Sequence, residues 1–149
     1  MTRVLLILGA LLACALHACS LAPATVYVHD SMWPVKGIIE DEAREAIEFF
    51  CDAQGIRDCG KWQLDLKVYI VPGPSFPCGS VEAAVGCYTK KPGDSITVVW
   101  ANGPGENAML HELYHRRLAK LGDPKWHEHP VAFLLIVKVL KEEWRVDHE

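Results

Sequence analysis

The sequence predicts an α+β domain, a small and mostly antiparallel sheet packed with three helices. Three observations lead there. Four short runs carry strand patterning: "ATVYVHD", "WQLDLKVYIVPG", "AVGCYT" and "SITVVWA". Apolar residues recur at helical spacing in three other segments. The resulting order is strand, helix, three strands, helix, helix.

The chain opens with Arg3 and an apolar run from Val4 to Leu16. This reads as a signal peptide over residues 1–18, leaving a single domain over 19–149. Leu16-His17-Ala18-Cys19 resembles a bacterial lipobox, in which Cys19 is lipidated and becomes the first mature residue. Cys14 after Leu11-Leu12-Ala13 and the Ala22-Pro23-Ala24 triplet are alternative processing points. Each implies export. From Gly37 to Phe50, Ile38, Ile39, Ala43, Ala46, Ile47 and Phe50 share a helix face, with acidic residues crowding the first turns. In the second strand, Leu64, Leu66, Val68 and Ile70 alternate with polar residues, and Pro72-Gly73 stops the run. "PGPSFPCGS" is expected as a loop. "AVGCYT" and "SITVVWA" are expected as a hairpin across the turn-like "KKPGD". A helix from near Glu106 ends at Leu121-Gly122-Asp123-Pro124. The last helix runs from near Pro130 to about Val146, and its "VAFLLIV" core is too short for a membrane span.

Composition sets the class. In 149 residues, 50% are hydrophobic and 23% charged, enough apolar material for one buried core. The net charge of −4 is spread along the chain with no basic block, which argues against a nucleic-acid partner. Cys51, Cys59, Cys78 and Cys87 form an even set in a chain expected to be exported. Their spacings are not those of C-x-x-C metal clusters, so they read as disulfides. Short loops favour Cys51 with Cys59 and Cys78 with Cys87.

The chemistry is concentrated in "AMLHELYHRRLAKLGDPKWHEH", residues 108 to 129. Residues four apart on a helix lie one turn above the other, so His111 and His115 can share one Zn2+ ion. Glu112 sits one position round, placed to take a proton from a water that the cation polarises. His111-Glu112-Leu113-Tyr114-His115 after a strand resembles the active-site helix of the zincin metallopeptidases. The resemblance spans roughly residues 80 to 130. It implies a zincin-like fold, a peptide or protein substrate, Glu112 as catalytic base, and an edge strand ahead of the helix along which extended substrate lies. "SITVVW" is the segment expected to be that strand.

A catalytic zinc needs a third protein ligand. The metzincin continuation of the motif is absent, because "RRLAKLGD" follows His115. His127 is the first choice, with His129 and then Asp123 as alternatives. Asp123 otherwise orients a ligand histidine or caps its turn. Tyr114 and the tryptophans Trp100, Trp126 and Trp144 read as packing. Arg116 and Arg117 are expected to be solvated or paired with the acidic first helix. The leading expectation is a small exported zinc hydrolase, lipid-anchored in a bacterial envelope and cleaving peptide or protein substrates there. The other is a disulfide-stapled binding lipoprotein with a structural metal or none.

Overall fold

The structure is a computed structural model, and it describes residues 24–91, 93–100 and 108–148. The expectations for residues 1–18 and for Cys19 lie outside them. Six strands and four α-helices follow in chain order. They are β1 (Thr25–Val28), a 3-10 turn (Asp30–Val35), α1 (Lys36–Ala53), the short α2 (Cys59–Trp62), β2 (Lys67–Val71), β3 (Phe76–Cys78), β4 (Val81–Ala84), β5 (Gly86–Thr89), β6 (Ser95–Val99), α3 (Met109–Lys120) and α4 (Val131–His148).

The main sheet has the order β1-β2-β6-β5. It corrects the expectation of a mostly antiparallel sheet: β1–β2 and β2–β6 are parallel, and only β5–β6 is antiparallel. The cause is the connections. Parallel neighbours need a crossover long enough to return the chain to its starting end, and α1 supplies it between β1 and β2. After β2 the chain leaves through the β3–β4 hairpin, comes back down β5 and turns up into β6 beside β2. The β5–β6 hairpin formed as expected. The β3–β4 hairpin occupies the stretch expected as loop, because three- and four-residue strands carry too little alternation to stand out.

Burial alternates along the strands. Val26 and Val28, Val68 and Ile70, and Ile96 and Val98 point to one face and are buried. On the opposite face Tyr27 stacks on Tyr69 at 5.0 Å. The second strand begins later than its pattern suggested, because Asp65 adopts φ 66° and breaks the extension; Leu64 is left exposed. Against the buried face lie Ile39, Ala43, Ala46, Ile47 and Phe50 of α1, and Met109, Leu110 and Leu113 of α3. Phe133, Val137, Leu140 and Trp144 of α4 complete the core. The mixed α+β class is therefore observed, as two layers. Among the described residues no helix is long and apolar enough to cross a membrane.

Both favoured disulfides are present. Cys51–Cys59 ties the end of α1 to α2, with Cα atoms 5.7 Å apart. Cys78–Cys87 ties the β3–β4 hairpin to β5, with Cα atoms 5.9 Å apart. They suit an oxidising compartment.

Candidate metal centre

α3 carries the motif into the middle of the molecule. Its Met109, Leu110 and Leu113 face is fully buried, so the next residues round the cylinder, His111, Glu112 and His115, are held at the boundary between core and cleft. The helix ends in a Schellman motif: the Asp123 N–H donates to the Leu118 carbonyl and the Gly122 N–H to the Ala119 carbonyl, with Gly122 at φ 79°. That reversal sends the chain back alongside α3, and two histidines return with it.

His129, not His127, joins the pair on the helix. The Nε2 atoms of His111, His115 and His129 form a triangle with all three sides 3.0 Å. The favoured third ligand is corrected here for a local reason. The Glu128 N–H closes a turn onto the Lys125 carbonyl, and His127 lies inside that turn with its ring against Trp126 rather than over the helix. Two residues later the chain is clear of the turn and His129 reaches the site. Asp123 does not orient a ligand: it caps the turn by accepting the Lys125 N–H at 2.8 Å. The orienting group is a backbone carbonyl that no side-chain pattern announces. His115 Nδ1–H donates to the Trp126 carbonyl at 2.5 Å, which fixes the tautomer and leaves Nε2 as a lone pair facing the other two rings.

The three histidines fit a metal ion. Three ring nitrogens meeting at one point cannot all be satisfied by hydrogen bonds to one another, whereas one cation satisfies all three. Tetrahedral zinc with ligands at about 2.0 Å would set such nitrogens about 3.3 Å apart, close to what is seen. Phe133, buried beneath, has its ring centroid 4.5 Å from that of His115 and about 5 Å from the other two. Burial drives the His111 imidazole down to about 3, with the charges of His115, His129 and Lys141 adding to it. Burial also lowers His115, against the opposing effect of its bond to Trp126. Both rings are thereby kept neutral, the form that coordinates.

Glu112 is 6% exposed, and burial raises its carboxyl to about 7 against the lowering effect of a hydrogen bond from the Tyr88 backbone N–H. That bond places it on β5. The Val99 N–H donates to the Val85 carbonyl, so by antiparallel alternation the peptide groups of Gly86 and Tyr88 face away from β6, toward α3. The approach requires glycine. A Cβ on Gly86 would overlap Ala108 Cβ and lie 2.7 Å from Glu112 Oε1. The strand beside the site is thus β5, at the sheet edge. "SITVVW" is β6 and lies inside the sheet between β2 and β5, which corrects the expectation for that segment.

Together these groups line a cleft of about 670 Å³. α3 and the His127–His129 segment form one side. Gly86, Cys87 and Tyr88 form the other, and the β3–β4 hairpin, pinned by Cys78–Cys87, forms its lip. Trp126 sits at the rim with its edge toward Tyr88. Tyr114 and Trp144 pack in the core as expected, Trp100 lies partly buried against it, and His29 caps the 3-10 turn by accepting the Ser31 N–H.

Of the two arginines after the motif, Arg116 departs from expectation and Arg117 meets the first helix, though at a neutral amide. Arg116 is fully buried and pairs side-on with Asp94, Nε to Oδ1 at 2.9 Å and Nη2 to Oδ2 at 2.7 Å, with its guanidinium 4.3 Å from the Trp62 ring centre. Arg117 bonds Gln54, at the end of α1. No family model, curated protein or solved structure matches this chain.

Proposed function

We propose that the protein is a zinc-dependent hydrolase, a metallopeptidase of zincin type acting on peptide or protein substrates in a bacterial envelope. The observation that carries this reading is the Nε2 triangle of His111, His115 and His129 beside the buried carboxyl of Glu112. Three ligands leave a tetrahedral ion one open position, the pattern of catalytic rather than structural sites. When bound, zinc supplies a Lewis acid that polarises a carbonyl and lowers the pKa of a water. Glu112, with a carboxyl near 7, is suited to take a proton from that water and return it to the departing amine. β5 is the edge strand of the sheet and lines the cleft, which suits backbone pairing to an extended substrate laid along it. Export with a lipid anchor at Cys19 belongs to the same proposal, and the disulfides suit the oxidising compartment that export would reach.

The test is zinc per chain by mass spectrometry, alongside hydrolysis of a mixed peptide pool. Wild type should carry about one zinc. His111→Ala, His115→Ala and His129→Ala should lose it, and His127→Ala should keep it. Glu112→Gln should keep zinc and lose turnover. Folded wild-type protein that takes up no zinc would sink the proposal. Zinc uptake with no Glu112-dependent hydrolysis would return the protein to the alternative, an envelope binding protein with a structural metal.

A further inference from the structure

The cleft contains one cation that the proposed chemistry does not use. Lys141 lines it, projecting from α4 next to the three histidines, and it is half-buried. Among the described residues lining the cleft it is the only lysine or arginine, and Glu112 is the only acid.

Nothing described neutralises this ammonium. Residues three and four away on a helix are within reach, and for Lys141 these are Val137, Lys138, Trp144 and Arg145, none of them acidic. Glu142, the adjacent acid, is bonded to Arg145 at 2.6 Å. Glu112 is engaged by the Tyr88 N–H on the opposite wall. Lys36, the other partly buried lysine among the described residues, is paired with Glu40, and the exposed Lys120 and Lys125 have Asp94 and Glu128 as partners. A half-buried ammonium gives up part of its hydration, and an anion in the cleft would offset that loss. The cleft is otherwise electropositive in use, since three neutral imidazoles around a divalent cation leave its charge uncompensated.

We infer that Lys141 is an anion subsite beside the three-histidine centre, and that the substrate presents a carboxylate there, close to the bond that is cleaved. The inference rests on the metallohydrolase reading and narrows its substrate class to peptides bearing a free C-terminus or an acidic side chain at that position. Lys141 acts by attracting and orienting the substrate, not on the reacting atoms.

Three hydroxamate probes separate these sources. One is coupled to glycine, with a free C-terminal carboxylate. The second is coupled to glycinamide, with no carboxylate. The third is coupled to aspartic acid amidated at its C-terminus, leaving only the side-chain carboxylate. Binding to the zinc-loaded full chain is measured by calorimetry for wild type, Lys141→Ala, Lys141→Arg and Lys141→Glu. Wild type should bind one of the carboxylate probes about tenfold more tightly than the glycinamide probe. Which one it prefers identifies a terminus or a side chain. That preference should vanish in Lys141→Ala, persist in Lys141→Arg and reverse in Lys141→Glu, with zinc content unchanged throughout. Equal binding of all three probes by wild type, or a preference that survives Lys141→Ala, overturns the inference while leaving the metal reading intact. Absence of zinc overturns both, and it is read from the metal content before any probe is added.

Discussion

The helix α3 separates two polar regions, one largely buried and one opening on the cleft, that begin one residue apart. On one side His115, with His111, His129 and Glu112, faces the cleft; on the other, Arg116 faces Asp94. Both regions take polar atoms out of water, and they settle the cost differently. The Arg116 region is largely closed on itself. Asp94 receives Nε and Nη2 of Arg116 and the Lys120 ammonium at 3.0 Å, and the guanidinium lies over Trp62. Burial alone would raise the Asp94 carboxyl, but the bonds and charge of Arg116, with Lys120, outweigh it and hold the group below the usual carboxylate range. The histidine region is not closed. Its lone pairs converge on one another and its carboxyl is driven up rather than down. Buried charge matched by protein partners holds a fold together. Ring nitrogens that converge on one point without a proton to share suit a cation held between them.

Four substitutions probe that contrast, from the largest expected effect to the smallest. Glu112→Gln should lower turnover by about 10²- to 10⁴-fold, the usual worth of a general base, with zinc content and melting temperature nearly unchanged. A comparable loss of stability would move Glu112 into the structural class. Arg116→Met should do the reverse. Removing Arg116 leaves Asp94 with Lys120 alone, at about 3 kcal/mol in denaturant unfolding, the low end for a broken buried pair, while zinc uptake by the folded fraction persists. Gly86→Ala should cost about 1–3 kcal/mol through overpacking. Because the Glu112 carboxylate is among the atoms displaced, hydrolysis should fall more than zinc binding does; equal falls would make Gly86 a packing residue only.

The smallest effect concerns pH. Asp94 has a folded pKa below its unfolded value of 3.8, so it contributes stability above that value and loses it as pH falls through the folded pKa. Melting temperature followed from pH 7 to pH 2.5 should show that loss below about pH 4 in wild type. A double variant, Asp94→Leu with Arg116→Met, should be closer to wild type at pH 7 than Arg116→Met alone, and should lack this part of the acid limb. An unchanged acid limb in the double variant would show that other carboxylates carry it.

Much of the site was legible in the spacing of α3, because an i, i+4 pair on a helix is a local geometric consequence. His111, Glu112 and His115 needed no knowledge of the rest of the chain. The third ligand did. His127 and His129 are two positions apart and are chemically identical, and a single turn bond, Glu128 N–H to Lys125 carbonyl, decides which of them reaches the site. The group that orients His115 was invisible for a different reason: it is the main-chain carbonyl of Trp126, and main-chain groups carry no sequence signature. Arg116 was misread because charge suggests solvent, and its partner Asp94 lies in the β5–β6 turn, far away in sequence.

The sequence by itself therefore determined what is local: the helix faces, the alternation of the main strands, the Gly122 stop, the short disulfide loops and the paired histidines. Each depends on residues within one or two turns of each other, where backbone geometry leaves few choices. Only the tertiary structure decided the parallel pairing of β1, β2 and β6, the placing of β5 rather than β6 at the edge, and the selection of His129. It also decided the contact of Gly86 with Glu112 and the burial of Arg116. These rest on contacts between distant segments, whose outcome is set by competition among many packings of similar local merit.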